Sequence, residues 1–285
     1  MLRVGDYALR VRRARYLWPN APLCDLWRHR ELIRQLVVRD IQQRYRGSYL
    51  GIIWSFLTPF LLLMAYTFVF SIVFQARWGT DAPAASTVQF ALILFAGLIP
   101  FNMLAECVSR APTAVVSVPN YVKKVVFPLE VLTLVQAGSA LVQSLISVVV
   151  LLAATTVFEG RLAPTSVLLP LAYLPLVFLA LGVGWFLAAI GVYVRDIGQS
   201  VTVIIQALMF LSPIFYPLSS VPAWLQPYLK LNPLTPIVEM FRGVLLWNEV
   251  LPWESWLLWT LGTALIAYGG YVWFMLNKYG FADVL

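Results

Sequence analysis

The sequence predicts an all-α integral membrane protein: six transmembrane helices, an N-terminal amphipathic interface helix and two short re-entrant helices between spans five and six. Three observations carry this. Of 285 residues, 61% are hydrophobic and only 12% charged, about half the charge of an ordinary soluble domain, so too little polar surface exists to cover a water-exposed globule. Uncharged stretches long enough to span a bilayer recur along the chain. The charge excess sits in one place, because residues 1–46 hold eleven arginines and four acids while the other 239 residues balance nine bases against nine acids. An ordinary cytosolic enzyme, a disordered chain and a secreted disulfide scaffold are excluded by composition.

Residues 1–24 read as a basic cytoplasmic extension. They have no continuous apolar stretch of the kind a cleavable signal peptide needs, so insertion is expected to use the first span. Residues 25–46 alternate apolar and basic positions at helical spacing: Leu26, Ile33, Val37 and Ile41 share a face, while Arg30, Arg34 and Arg44 fall elsewhere. Asp25 is the expected N-cap. Such a helix, Trp27 included, should lie along the inner membrane surface with its arginines reaching phosphates; a plain anchor would look the same. The membrane domain, 47–280, has expected spans at 50–74, 88–105, 131–158, 171–194, 197–217 and 255–277. Pro164 and Pro170 are expected to delay the start of the fourth. Between spans five and six, residues 218–254 are too apolar for a solvated loop yet broken by five prolines. The pieces 222–231 and 236–247 are too short to span and read as re-entrant or interfacial helices, either a lid over a pathway or a simple plug.

Loop charge tests the topology independently. With the N-terminus inside, inner segments carry sixteen basic residues, the eleven arginines of the N-terminal segment plus Arg110, Lys123, Lys124, Arg195 and Lys278. Outer segments carry four: Arg77, Arg161, Lys230 and Arg242. This obeys the positive-inside rule and places both termini in the cytoplasm. A basic segment beside a span faces anionic lipid, and no nucleic-acid-binding motif accompanies it, so no nucleic-acid partner is expected.

Several chemistries are missing. None of the four lysines follows a glycine, so the chain has no P-loop. With His29 the only histidine, neither a histidine metal cluster nor a Ser-His-Asp triad can be assembled. Cys24 and Cys107 have no metal or redox spacing and read as small hydrophobes. Glu106 and Glu130 sit near the inner ends of spans two and three, where charge is tolerable, and nothing forms a proton relay at mid-bilayer. Arg195-Asp196 reads as a short-loop ion pair or helix cap, and Glu239 with Arg242 as a local pair on one short helix. The pattern is that of a conduit that draws its energy from elsewhere.

Three ordered segments then become recognisable. Arg39-Asp40-Ile41-Gln42-Gln43-Arg44-Tyr45-Arg46, followed by Leu50-Gly51-Ile52-Ile53-Trp54 and Pro59, resembles the opening of ABC-2 type permeases that export polysaccharides. Asn120 to Pro128, with Tyr121, Lys123 and Lys124, is similar to that family's loop between spans two and three. Arg195-Asp196-Ile197, Gln206 and the run Phe210 to Pro217 resemble its fifth span, and Asn232-Pro233 with Phe241-Arg242 extends the match. The resemblance covers about residues 25–280; Glu106 departs from it, where a neutral small residue is expected.

The resemblance implies a homodimer, each subunit meeting a separate ABC ATPase, in the bacterial cytoplasmic membrane. It implies no cofactor in this chain, with ATP and Mg handled by the partner, and an undecaprenyl-linked glycan of O-antigen, capsule or teichoic-acid type as cargo. The loop near 115–124, with Asn120 and Tyr121, would be the coupling helix seated in the ATPase. The two short outer helices would form a gate. Spans one and five would line the channel, with Tyr66, Phe70, Phe74, Phe210 and Tyr216 as an aromatic track on which sugar faces slide; lipid-facing packing is the competing reading for any one ring. Arg44, Arg46, Lys123 and Lys124 at the inner surface would face the lipid pyrophosphate or the ATPase. Two other functions stay open: an ABC-2 permease for a drug or small lipid, and a membrane enzyme acting on polyprenyl phosphate, for which Glu106, Glu130 and Asp196 are the candidate acids.

Overall fold

The computed structural model of the chain describes residues 27–74, 78, 87–123 and 127–285. Among these every regular element is helical and there is no strand. Helix α1 (Arg30–Arg44) is followed by a 3-10 turn (Gly51–Ile53), α2 (Trp54–Tyr66) and a π-helix (Thr67–Val73). Next come α3 (Thr87–Arg110), which runs on as a 3-10 turn (Ala111–Thr113), the short α4 (Pro119–Lys123), and α5 (Val131–Glu159). A 3-10 turn (Pro164–Leu168) leads into α6 (Leu169–Tyr193), then α7 (Ile197–Leu211) and α8 (Gln226–Leu231). Helix α9 (Leu234–Arg242) continues as a π-helix (Gly243–Trp247), and α10 (Trp253–Asn277) and α11 (Phe281–Val284) close the chain.

Among the described residues, five helices are long and apolar enough to cross a membrane: Gly51–Phe70, Val88–Thr113, Val131–Glu159, Pro164–Tyr193 and Trp253–Val284. The expected fifth span, 197–217, is built differently. Helix α7 has 15 residues, ~22 Å at 1.5 Å per residue, against a hydrocarbon core of ~30 Å. The cause is local. Ser212 precedes Pro213 and takes the extended backbone that a following proline imposes (φ −101°, ψ 145°), so the helix ends at Leu211. The second span is longer than expected, which puts Glu106 and Arg110 on α3 itself. Asp196 occupies the N-cap of α7 but makes no capping hydrogen bond. The expected cap Asp25, together with Leu26, Cys24 and residues 1–24, lies outside the described residues; Cys107 is buried and free.

Helix α3 forms the middle of the bundle. Its sequence from Phe90 to Phe101 is apolar on every face apart from Gly97, and residues 90–96, 98, 99 and 101 are buried hydrophobics, as expected of a helix enclosed by others. Helices α5, α6, α7 and α9 pack around it. The tightest pairing is α6 on α10, where glycines let backbones touch: a Cβ on Gly270 would lie 2.1 Å from the carbonyl oxygen of Gly182. Helix α1 lies against α5 with Val37 seated on Gly138, where a Cβ would come within 2.8 Å of the valine methyl. Leu32, Ile33, Leu36, Val37, Asp40 and Ile41 form its half-buried face, matching the expected periodicity.

Proline interrupts three of the long helices, and two of the gaps are filled from a neighbour. Pro59 removes the N–H that would bond the Ser55 carbonyl; Gln143 of α5 donates its amide there instead, at 2.9 Å. Pro175 likewise frees the Leu171 carbonyl, which accepts the indole N–H of Trp256 from α10 at 2.8 Å. Gln143→Leu and Trp256→Phe should each leave a carbonyl without its donor and lower stability by ~1–3 kcal/mol. Thermal unfolding of the detergent-solubilised chain measures this, and unchanged midpoints for both would mean the carbonyls have other donors.

Candidate functional site

Aromatic side chains from separate elements meet along one side of the bundle. Tyr66 of α2 and Phe70 of the π-helix have ring centroids 6.4 Å apart, and Phe70 and Phe74 5.9 Å. Phe70 also lies 6.2 Å from Phe215, which stacks on Phe210 of α7 at 5.8 Å. The series Tyr66–Phe70–Phe215–Phe210 thus crosses from the first apolar run to the end of α7. Phe74 and Phe210 are about two-thirds exposed. Tyr216 turns back and donates its hydroxyl to the Phe210 carbonyl at 2.9 Å. The structure therefore brings together the expected rings of both segments through Phe215. Sequence reading missed that residue, although it lies inside the quoted Phe210–Pro217 motif.

A second group occupies the end of the bundle that carries α1. Asp40 receives two hydrogen bonds from Arg110, at 2.5 and 3.0 Å. Arg110 also reaches Glu106 at 3.4 Å, and Glu106 pairs with Arg44, four residues along α1 from Asp40. Acid and base alternate, so the four charges cancel while joining α1 to α3. Burial alone would raise the Asp40 carboxyl, but the Arg110 guanidinium, with smaller help from Ser139 and Arg44, outweighs it and holds the group below its ordinary value. Asp40 is therefore ionised at neutral pH, and its contribution is lost only as pH falls through that depressed value. The sequence places Glu106 near the inner end of span two, as a departure from the family pattern and a candidate acid, but does not reveal its partner Arg44, which stands 62 residues earlier, beyond any local signal.

Arg110 also opens the loop toward α4. Its carbonyl accepts from Thr113 and from Gln136 of α5, at 3.1 and 3.2 Å. Val115, at the start of the segment expected to be the coupling helix, is fully buried. Asn120 is exposed, and Tyr121 stacks on Phe127 at 4.6 Å. Arg46 is exposed, beyond the four-charge group. The side chain of Lys123, and Lys124 altogether, lie outside what the structure describes. At the same end, Glu130 is buried and pairs with Lys278 at 2.5 Å, tying the start of α5 to the end of α10; it is engaged as a structural anchor.

At the opposite end lies Arg242, which is fully buried. It pairs with Glu239 at 3.0 Å, as its spacing predicts. The rest was not legible locally. Its Nε donates to the Ile93 carbonyl of α3 at 3.1 Å, and its Nη1 and Nη2 to the Pro213 and Ile214 carbonyls at 2.7 Å each. The guanidinium also lies over the ring of Trp78, 4.3 Å from the centroid. Gly97 makes room for it, since a Cβ there would fall 2.7 Å from Nη2. One side chain thus binds α9, α3 and the chain leaving α7.

Among the described residues, no group of acids, cysteines and histidine could hold a metal ion. The sequence model of the ABC-2 type transporter family matches residues 31–246. The chain is 27% identical over 222 residues to the O-antigen export system permease protein RfbA of Myxococcus xanthus, covering 77% of this chain and 82% of that protein. It is 23% identical to an O-antigen export system permease protein RfbA of Klebsiella pneumoniae, covering 90% and 95%. With the polysialic acid transport protein KpsM of Escherichia coli it shares 26% identity, over 74% and 79%.

Two predictions follow from the charged groups. Arg242→Met should leave the Pro213 and Ile214 carbonyls open at ~1–3 kcal/mol each, and Gly97→Ala should push the guanidinium off the same carbonyls; both are read as a lower unfolding temperature, and Arg242→Lys should not restore it, because an ammonium lacks the planar fork. At the other end, Glu106→Arg should detach α1 from α3, and Arg44→Glu in the same chain should restore the contact with reversed sign. Limited proteolysis around α1 measures this: equal protection in single and double variants would show that the pair does not hold the helix.

Proposed function

The chain belongs to the ABC-2 type transporter family, and from that membership we propose that it is the permease subunit of an ATP-driven exporter moving a polyprenyl-pyrophosphate-linked polysaccharide, O-antigen-like, across the bacterial cytoplasmic membrane. The observation that carries the reading is the aromatic series from Tyr66 through Phe70 and Phe215 to Phe210. Ring faces can stack on the C–H faces of sugars without strong polar holds, and a conduit needs contacts weak and repeated enough that cargo keeps moving. The similar proteins whose names specify O-antigen export or polysialic acid transport support a glycan over a drug or small lipid.

In this reading the chain works as a homodimer with Tyr66, Phe70, Phe74, Phe210 and Tyr216 lining the shared path. Helix α7 counts as the sixth, shorter crossing, both termini are cytoplasmic, and α8 and α9 enter the outer face as a gate. Helix α1 lies on the inner surface as the amphipathic interface helix. Energy comes from a separate ABC ATPase holding ATP and Mg, since this chain carries no P-loop. That subunit seats on α4, through Asn120 and Tyr121. Arg46, Lys123 and Lys124 would form the basic inner rim that meets the ATPase or the pyrophosphate, while Arg44, expected among them, is paired with Glu106. The Asp40–Arg110–Glu106–Arg44 group transmits its movement, because Arg110 is at once the partner of α1 and the first residue before the loop to α4.

The test is reconstitution in liposomes with and without the ATPase subunit, following ATP hydrolysis and passage of a lipid-linked glycan. Turnover is expected to need both chains and to rise with glycan. Phe70→Ala and Phe210→Ala should each slow glycan passage severalfold, with ATP hydrolysis retained, because each removes one of the repeated weak contacts along the path. Transport unaffected by both changes would point to a different cargo, and chemical alteration of the glycan by the chain alone would point to an enzyme.

A further inference from the structure

A cleft of about 670 Å³ opens at the Arg242 end of the bundle, between the start of α3, the end of α5 and the π-helix that follows α9. Its lining includes Gln89, Glu159, Arg161, Trp247, Asn248 and Glu249. The volume is within the ~300–1,000 Å³ of small-molecule sites. Its walls are fixed to each other: the Thr165 hydroxyl donates to the Val244 carbonyl at 2.8 Å, joining the turn before α6 to the π-helix. Ile93 lines it while its carbonyl receives Arg242, so the cleft adjoins the buried arginine.

Two backbone features mark the place. The π-helix Gly243–Trp247 is a form that recurs at functional sites. Asn248, which ends it, has φ 55°, the only positive φ on a non-glycine residue among those described. That turn presents Trp247, Asn248 and Glu249 to one cavity. Across it, Glu159 keeps only 18% of its side chain exposed and lies 3.7 Å from Arg161, which is 75% exposed.

The chemistry selects the ligand. Two carboxylates against one guanidinium give the lining a net negative charge, which disfavours phosphate and anionic lipid headgroups. Carboxylate, guanidinium and amide groups together offer acceptors and donors in the mixture that vicinal hydroxyls use, and Trp247 adds an aromatic surface. We propose that this cleft is a glycan-binding subsite for a neutral sugar segment, separate from the aromatic series. It rests on the polysaccharide reading above, and adds a place where sugar is held by hydrogen bonds beyond the buried Arg242.

The chain in lipid nanodiscs, without ATPase, is titrated with soluble oligosaccharides of mannose, galactose and N-acetylglucosamine, and with glycerophosphoethanolamine, by saturation-transfer NMR. At least one oligosaccharide is expected to bind, with Glu159→Gln and Glu249→Gln each weakening it roughly tenfold, as loss of a charge-assisted hydrogen bond implies. Asn248→Gly keeps the left-handed turn while removing the amide; it gives up only the long 3.4 Å contact accepted from Thr165, whose 2.8 Å bond to Val244 stays, and should weaken binding. Absence of binding by every sugar, equal binding by all three variants, or binding of the headgroup alone would each overturn the subsite. Glycan-stimulated ATP hydrolysis in the liposome assay separates the two readings. If it persists while sugar binding fails, only the subsite falls.

Discussion

Every backbone carbonyl left open inside an apolar bundle has to find a donor within the protein, because no water is there to supply one. Much of the tertiary contact in this chain answers that demand. Pro59 opens Ser55, and Gln143 closes it; Pro175 opens Leu171, and Trp256 closes it. The break at Ser212-Pro213 opens two more, and Arg242 closes both. The donors are long side chains from other helices, so each interruption becomes a cross-link. Arg242 is the extreme case. A guanidinium removed from water is costly alone, but four hydrogen bonds, one of them to Glu239, and the face of Trp78 surround it. The break after α7 and the position of α9 are consequently one problem with one solution.

The two ends of the bundle use charge in different ways. At the α1 end, four charges of alternating sign share the boundary between α1 and α3, each side chain 21–34% exposed. Such pairs are individually weak when water reaches them. What they supply is register, since Asp40 and Arg44 meet Arg110 and Glu106 one helical turn apart on both helices. At the other end a single buried cation holds three segments through a planar set of donors that an ammonium lacks.

The long helices were legible because a bilayer span is a run of uncharged residues, a property of the sequence alone. The end of α7 was also written there, in Pro213, though composition carried the expected span to 217. Proline likewise announces that a carbonyl is freed, as at Pro59 and Pro175, but nothing local says which helix will donate. Gln143 and Trp256 stand 88 and 85 residues away from the carbonyls they serve. Arg242 and Glu239 could be paired from their spacing, yet the depth of Arg242 depends on Gly97 in another helix. Within the aromatic series, Tyr66, Phe70 and Phe74 follow from a four-residue spacing. Phe215 joins them only through the fold.

Exposure of Phe74 and Phe210 does not by itself identify a conduit, and Tyr66, Phe70 and Phe215 are half-buried against the core. Only Ser55, Pro59 and Leu63 of α2 and Val201 of α7 are buried, and lipid solvates such apolar faces without penalty. The distinguishing property is how polar groups are treated along it. Tyr216 spends its hydroxyl on a neighbouring carbonyl, and Phe70, Phe74, Phe210 and Phe215 bring no polar group, so Tyr66 carries the one further hydroxyl among the named rings. Acids and amides collect instead in the cleft beyond Arg242. Under the proposed function, a path that must release its cargo at every step and an end that can hold it would differ in this way. The partition follows from where polar groups are used: Gln143, Trp256 and Arg242 are spent inside the bundle on closing carbonyls, while the acids and amides of the cleft face its opening.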